Sequence, residues 1–289
     1  MSRTDDIVEL RTSLAHFCFN RHRSYLNSTH DLRACRMFPT TISFSASWKH
    51  KVGGNVRDVQ TRCTAIRKAT QAMPDDLDLA DPLTFKDLPC PSPLLLPHER
   101  FEAKEIDSIE YFEYMGRSRF RGLQECIKDR NFQKGAESIY VYGTSGSGKS
   151  HLVAALVYHL VREGRRVFYI PDCSALLLDP AETMWNAYHF AYDCSPDLRT
   201  TESVETLINL MREDPDVYVV IDQVNALEST NTDSRREAKN RILGWLGNLR
   251  SRHRYIFSAS ANETSNRDAE KKQNGISVFP IFGGMSQVC

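Results

Sequence analysis

The stretch "SIYVYGTSGSGKSHLVAALVYHL", residues 138–160, decides the fold. It passes from a short apolar run of β-forming residues, through a loop of glycine and serine, into apolar residues at helical spacing. Glycine costs stability inside regular structure. Three glycines between a strand and a helix therefore indicate that the backbone comes very close to a ligand, which we expect to be a nucleotide phosphate.

The loop "GTSGSGKS" matches the pattern G-x-x-x-x-G-K-[ST], with a strand before it and an apolar helix after it. Its glycines would let backbone N–H groups surround the β-phosphate, aided by the positive end of the following helix. Lys149 would bridge the β- and γ-phosphates, and Ser150 would offer its hydroxyl to Mg²⁺. The alternative, a chance Gly/Ser linker, would not lie between these apolar flanks. The expected nucleotide-binding residues are Gly143, Thr144, Ser145, Gly146, Ser147, Gly148, Lys149, Ser150 and His151.

A second motif, "VYVVIDQVNAL", would supply the partner of the phosphate loop. Asp222 follows a buried strand at the end where open α/β sheets bind ligands, so we predict that it holds Mg²⁺ together with Ser150. The alternative is an Asp that caps a turn. Gln223 stands where many NTPases have a Glu that polarises water; its neutral amide can orient water but cannot accept a proton. We therefore predict slow hydrolysis, with Lys149, Asp222 and Gln223 as the catalytic residues.

The remaining pattern predicts an α/β fold. Apolar runs at "RRVFYIPD", "DVYVVIDQ", "RYIFSASAN" and "ISVFPIF" alternate with helical patterns at residues 151–162, 201–214 and 238–252. Such alternation indicates a parallel sheet of about five strands covered by helices on both faces, a P-loop NTPase with an AAA/STAND-like core and an irregular N-terminal extension. Ser258, Ser260 and Asn262 end the fourth strand of this sheet, either in a simple turn or as sensors of the γ-phosphate.

Composition divides the chain into unlike parts. Of 289 residues, 41% are hydrophobic, and basic and acidic residues both number 37. Residues 1–73 nevertheless hold 12 Lys and Arg against 5 Asp and Glu, with one short amphipathic pattern at 56–70. We predict a basic, poorly structured segment at 1–73, a Pro-rich linker at 74–100, and an NTPase domain lacking a C-terminal lid at 101–289.

Several functional classes lack support in the sequence. No signal peptide or membrane-spanning run is evident, so we expect a soluble intracellular protein without membrane contact. The eight cysteines show no metal-binding spacing and fit incidental thiols. Net charge gives no indication of nucleic-acid binding, although the basic N-terminal segment leaves it open. Self-association also stays open. A basic cluster at Arg117, Arg119 and Arg121 either contacts phosphates or a neighbouring subunit, or is a solvated helix face, which we favour.

The phosphate loop and "YVVIDQVNAL" together resemble the P-loop NTPase module of Crinkler-type effectors and retrotransposon hot spot proteins, over about residues 94–284. The most specific element is Asp-Gln-x-Asn at residues 222–225, which in that family replaces Asp-Glu. The resemblance implies ATP and Mg²⁺ as cofactors, bound by Gly143, Gly148, Lys149, Ser150 and Asp222. It also implies secretion by an unconventional route and a nuclear location in a host.

Two features depart from that family. Residues 1–73 contain no Leu-Phe-Leu-Ala-Lys-like translocation motif, and only five residues follow Gly284, so we expect no helical lid or effector domain. A truncated gene product is one consequence to consider. Two functions stay open: a slow ATPase, and a switch or effector fragment that binds nucleotide without hydrolysing it. A nucleoside or metabolite kinase would need an acceptor pocket and an Arg-bearing lid, for which no segment is evident.

Overall fold

The computed structural model describes residues 56–93, 101, 103–107, 109–135, 137–192, 203–227, 233–260 and 276–281. Residues 1–55, which make up most of the predicted basic segment, lie outside this range, as do Asn262 and the chain after residue 281. All described residues belong to the second of the two units into which the chain divides, which begins at residue 55.

A five-stranded parallel sheet forms the centre of this unit, so the predicted fold class is confirmed. Its strands are β4 (Ser138–Gly143), β5 (Arg166–Ile170), β6 (Val217–Ile221), β7 (Arg254–Ser260) and β8 (Ile276–Ile281). They lie in the order β5-β6-β7-β4-β8, and each neighbouring pair is parallel. Every residue of β4 and β6 is buried, as expected for central strands covered on both faces.

Helices cover the two faces of this sheet. They are α1 (Val56–Ala72), α2 (Arg119–Lys128), α3 (Arg130–Gln133), α4 (Lys149–Arg162), α5 (Cys173–Leu178), α6 (Pro180–Tyr192), α7 (Val204–Arg212) and α8 (Asp233–Arg250), with a 3₁₀ turn at Val224–Leu227. Side chains of a strand alternate between faces. On β6, Tyr218 and Val220 pack in the cluster that contains α4, whereas Val217, Val219 and Ile221 pack in the cluster that contains α7 and α8. Among the described helices, none has the length and apolar character needed to cross a lipid bilayer.

The strand order determines which loops meet. Strands β4 and β6 run in the same direction, so the phosphate loop after Gly143 and Asp222 after Ile221 lie at the same edge of the sheet. Strand β7 lies between them, which brings Ser258 next to Asp222. Strand β5, which precedes β6 in sequence, is at the outer edge of the sheet.

A second, three-stranded sheet differs from the sequence prediction. It consists of β1 (Phe85–Pro89), β2 (Lys104–Ile106) and β3 (Ile109–Met115), antiparallel in the order β1-β3-β2. Strand β1 lies within the predicted linker. Proline excludes a central strand but not an edge strand, and Pro89 ends an edge strand, where a missing N–H is tolerated. Leu88 and Cys90 are buried, so this part of residues 74–100 belongs to the folded core.

Candidate functional site

The phosphate loop joins the end of β4 to the start of α4. Its two sharp turns are at Gly146 and Gly148, whose φ angles of 76° and 79° lie in the left-handed region that favours glycine. Gly148 is the N-cap of α4 and has no side chain that could cap the helix. Within the described residues, the backbone N–H groups of Gly146, Gly148, Lys149 and Ser150 donate to no protein acceptor. Such adjacent unpaired N–H groups at a helix N-terminus form a site that attracts anions.

Gly143 is required for a reason that the sequence did not show. A Cβ at this position would lie 2.2 Å from the carbonyl oxygen of Ile281 and 3.0 Å from Ser147 Oγ. Gly143 pairs with Ile281 of the neighbouring strand β8. The close approach at Gly143 in the described structure is therefore between two strands, and the expectation that all three loop glycines serve phosphate binding stays a prediction. Gly146, by contrast, has no atom within 4 Å of its ideal Cβ position, so its φ angle is what favours glycine.

Lys149 is directed back into its own loop. Its side chain is buried, and Nζ donates hydrogen bonds to the carbonyl oxygens of Gly143 at 2.8 Å and Thr144 at 2.6 Å. Ser147 Oγ lies 3.4 Å from the same nitrogen. Burial lowers the pKa of Lys149, while the negative charge of Asp222 acts in the opposite direction. The ammonium group thus lies in the curve of the loop and in the electrostatic field of the metal-site candidate.

Asp222 is held by hydrogen bonds at the end of β6. It is fully buried, and its backbone N–H donates to Ile170 O at 2.8 Å. The hydroxyl of Ser258 donates to Asp222 Oδ1 and accepts a 3.3 Å hydrogen bond from the backbone N–H of Gln223. Ser258 was considered as a γ-phosphate sensor; its contact in the structure is with Asp222. The side chains of Ser260 and Asn262 lie outside the described residues.

Gln223 has an unusual backbone conformation. Its φ of 61° places a residue with a Cβ in the left-handed region, at a cost of about 1–2 kcal/mol. Its carbonyl oxygen accepts a hydrogen bond from Ala226 N at 3.0 Å as the 3₁₀ turn begins. Such strain is frequent at functional sites. The conformation fixes the direction in which the half-buried Gln223 side chain leaves the backbone after Asp222.

Ser150 and His151 occupy the first turn of α4, and both are half-buried. The His151 ring packs on Phe101 with 4.7 Å between ring centroids, and on Phe112 with 6.2 Å. Burial, with a smaller contribution from the positive charge of Arg117, lowers the pKa of His151 to about 4. His151 is therefore neutral near pH 7, and any contribution to nucleotide binding would come from its ring face or backbone N–H.

Arg117 is a site residue that sequence reasoning placed on a solvated face. It is half-buried, and Nη1 donates a 2.8 Å hydrogen bond to the carbonyl oxygen of Ser147. Arg119 and Arg121 of the same cluster are exposed, and Arg121 pairs with Asp78 at 3.5 Å. The basic cluster was the only sequence signal, and it did not distinguish its three members.

The oxygen atoms of Asp222 and Ser150 are suitable ligands for Mg²⁺. In the described part of the chain, no group of three or more His, Cys, Asp and Glu side chains could hold a metal by itself. Mg²⁺ bound with a nucleotide needs fewer protein ligands, because waters and phosphate oxygens complete its octahedron. One buried carboxylate at Asp222 and one hydroxyl at Ser150 are ligands of this kind. The residues present therefore fit an Mg²⁺ ion that arrives with a triphosphate.

Comparison with known proteins adds limited information. No protein-family model and no curated protein matches the chain. Similar solved structures include a DNA replication initiation factor (19% identity, TM-score 0.34), the DnaC helicase loader (17%, 0.35) and AMPPCP-bound DnaA from Aquifex aeolicus (17%, 0.32). Each alignment covers 56% of this chain and, in the same order, 45%, 87% and 46% of the other. The chain thus spans less than half of the first and third. Likeness at TM-scores this low transfers no function to this chain.

Proposed function

We propose that this chain binds a nucleoside triphosphate with Mg²⁺ and hydrolyses it slowly at the bond between the β- and γ-phosphates. The observation that carries the proposal is the position of Lys149, whose buried ammonium lies within a loop of unpaired N–H groups and in the field of the buried Asp222 carboxylate. A buried cation in the electrostatic field of a buried carboxylate, at the ligand-binding edge of a parallel sheet, is typical of a phosphate site.

Binding would exchange one set of acceptors for another. Lys149 Nζ now donates to two carbonyl oxygens of its own loop. Phosphate oxygens are charged acceptors, and charge-assisted hydrogen bonds are about twice as strong as neutral ones. The β- and γ-phosphates would therefore replace these carbonyls as partners of Nζ. Mg²⁺, when bound, would neutralise charge on the phosphates, with Ser150 and Asp222 as its protein ligands.

The hydrolytic step would be limited by the residue after Asp222. In hydrolysis, water attacks the γ-phosphorus, the bond from this phosphorus to the β–γ bridging oxygen breaks with its electron pair left on that oxygen, and the proton of the attacking water passes to a phosphate oxygen or to solvent. Gln223 can accept a hydrogen bond from that water but cannot take its proton at neutral pH. Asp222 already accepts a hydrogen bond from Ser258, an arrangement that suits a metal ligand better than a base. Slow turnover follows from this pair.

Phosphate release from ATP and from GTP tests this function on the wild type, Gln223→Glu and Lys149→Met. We expect slow, Mg²⁺-dependent release by the wild type, faster release by Gln223→Glu, and none by Lys149→Met. The control is Lys128→Met, which removes an exposed lysine from α2 and should leave release unchanged. Absence of release from all variants that still bind Mg²⁺ and nucleotide would refute hydrolysis and favour the second candidate.

That second candidate is a switch that binds nucleotide without turning it over, and the amide at Gln223 is the observation that favours it. It predicts that bound ATP is recovered intact after many hours. Phosphate release by Gln223→Glu distinguishes the two candidates. If this variant releases phosphate and the wild type does not, the wild type is a switch.

The Asp-Gln-x-Asn sequence at residues 222–225 supports a finer proposal, that the module belongs to a Crinkler-type or retrotransposon hot spot protein. On this proposal the nucleotide is ATP, and the protein leaves its cell of origin by an unconventional route and enters a host nucleus. Binding of nucleic acid through the basic residues of 1–73 and self-association are further parts of it. Expression of a fluorescent fusion in host cells tests the location, and an exclusively cytosolic signal would argue against the nuclear part.

A further inference from the structure

We propose that Arg117 is a positioning residue of the phosphate loop, which orients the peptide between Ser147 and Gly148 so that the Gly148 N–H faces the bound phosphates. This inference deepens the proposed function and rests on it as far as the ligand is concerned. Three features support it: the contact of Arg117 with the loop, the way its own backbone is held, and the geometry of the peptide that it grips.

The contact with the loop has two parts. Nη1 of Arg117 donates a 2.8 Å hydrogen bond to the carbonyl oxygen of Ser147. The guanidinium also lies against the α-carbon of the next residue, since a Cβ built on Gly148 would be 2.1 Å from Nη1, 2.2 Å from Nη2 and 2.4 Å from Cζ. Any side chain at position 148 would therefore collide with the guanidinium. Gly148 is thus favoured by its left-handed φ, and its lack of a side chain leaves the space in which the guanidinium of Arg117 lies.

The backbone at Arg117 is held by hydrogen bonds to residues 79 and 84. Its N–H donates to Leu79 O at 3.0 Å, and the N–H of Gly116 donates to Thr84 O at 2.8 Å. Gly116 itself is packed so closely that a Cβ would lie 1.9 Å from the carbonyl oxygen of Asp81. The turn between β3 and α2 is therefore bound to residues 79–84, within the segment predicted to be a linker. Hydrogen bonds to that segment therefore position the backbone of Arg117 relative to the phosphate loop.

The hydrogen bond from Arg117 to Ser147 O also sets the direction of the Gly148 N–H, because the two groups belong to one peptide. All described peptide bonds are trans, and in a trans peptide the C=O and the following N–H point in opposite directions. Because Arg117 draws the carbonyl of Ser147 towards itself, the N–H of Gly148 points away from Arg117. This N–H has no protein acceptor in the described structure. It is one of the donors that the loop would offer to a phosphate.

Charge and shape both favour arginine here. Burial lowers the pKa of Arg117, yet a guanidinium stays protonated in proteins. Its planar group can lie flat on Gly148 while one nitrogen reaches Ser147, which the compact ammonium of lysine cannot do. The positive charge also adds to the potential that attracts the anion. Arg117→Lys should therefore recover part of the charge effect but little of the orientation.

The orientation can be tested without any nucleotide. Only two serines in the chain are followed by glycine, Ser145 and Ser147. Protein labelled with carbonyl-¹³C serine and ¹⁵N glycine therefore gives two signals in an HNCO spectrum, assigned by the loss of one in Ser145→Ala. We expect Arg117→Ala to shift the Ser147–Gly148 signal strongly and the Ser145–Gly146 signal less. Arg119→Ala, which removes an exposed arginine of the same cluster, should leave both in place.

Nucleotide affinity tests the consequence. Loss of one charge-assisted contact that orients a donor should weaken Mg²⁺·ATP binding by about 10- to 100-fold in Arg117→Ala. Arg119→Ala should stay within about twofold of the wild type. Guanidinium ion at millimolar concentration should restore part of the affinity of Arg117→Ala and have no effect on Arg119→Ala, a rescue that a merely destabilised fold would not show.

The outcomes separate the two proposals. An unshifted Ser147–Gly148 signal in Arg117→Ala would overturn the inference. If the wild type binds ATP, equal ATP affinity of Arg117→Ala and the wild type would also overturn it. A shifted signal in a protein that binds no nucleotide would refute the proposed function while leaving Arg117 as the residue that orients this peptide.

Discussion

Replacing Ser258 by alanine removes one hydroxyl that serves two partners at the candidate site. Ser258 is buried with 1% of its surface exposed, so water cannot take over the role of its Oγ. The hydroxyl donates to Asp222 Oδ1 and accepts the backbone N–H of Gln223 at 3.3 Å. The alanine variant leaves a buried carboxylate with one donor fewer and a backbone N–H without this acceptor.

The expected loss of stability follows from these two bonds. A hydrogen bond to a charged group contributes about 1.5–3 kcal/mol, whereas the longer bond to a neutral N–H contributes about 0.5–1 kcal/mol. Contributions of neighbouring bonds are not additive, so we expect Ser258→Ala to lower the free energy of unfolding by about 2–3 kcal/mol. In a chain of this size, that loss corresponds to a decrease in Tm of roughly 4–10 °C.

Urea unfolding followed by circular dichroism measures this change. The matched control is Ser251→Ala, because the Ser251 hydroxyl is exposed and donates only to Asn248 O. The control should change the free energy of unfolding by no more than about 0.5 kcal/mol. The reasoning would be refuted if Ser258→Ala unfolded at the same urea midpoint as the control, with the same dependence on urea concentration.

Three further predictions concern two site positions, Gly143 and Gln223, and one buried histidine of α6, His189. Gly143→Ala should lower the free energy of unfolding by about 3 kcal/mol or more, because its Cβ would collide with Ile281 O. Gly244→Ala, on an open helix face, should raise the free energy of unfolding by about 0.5–1 kcal/mol. Equal effects of the two substitutions in urea unfolding would disprove this prediction. Burial lowers the pKa of His189, so the unfolded state binds more protons below about pH 6.5 and the free energy of unfolding should fall as pH decreases through that range. His189→Phe should therefore make Tm depend less on pH. A pH profile of Tm parallel to that of the wild type would count against this prediction. Gln223→Gly should relieve the left-handed strain, which raises the free energy of unfolding by up to about 1 kcal/mol and with it Tm. The same variant should release phosphate more slowly. A lower Tm than that of the wild type would contradict the strain.

The central sheet was predictable because its signals are local. Apolar runs and helical spacing identified β4 to β8 and the helices α4, α7 and α8, but not α5 and α6, and parallel strands place their carboxyl ends at one edge. The proximity of Lys149 and Asp222 follows from that rule alone, although 73 positions separate them in the sequence. Position in the fold could therefore be inferred for these two residues without knowledge of any side-chain contact.

The features that sequence reasoning missed depend on contacts between distant segments. Arg117 binds Ser147, which is 30 residues further along the chain, and nothing local distinguishes it from the exposed Arg119. The constraint on Gly143 comes from Ile281 of another strand. Strand β1 was hidden by prolines, since their number suggested a linker and the sequence could not show that this strand would be an edge.

Isothermal titration calorimetry of the wild type and Lys149→Met with ATP, with and without Mg²⁺, tests the central claim most directly. We expect binding by the wild type that is strengthened by Mg²⁺, and affinity at least about 100-fold lower in Lys149→Met, since the variant loses a charge-assisted contact to the phosphates. Substitution by methionine retains most of the buried stem, so both proteins should show the same cooperative melt without nucleotide. Equal affinity of the two folded proteins, or no heat from the wild type with ATP or GTP, would contradict the assignment of residues 143–150 as a nucleotide-binding loop.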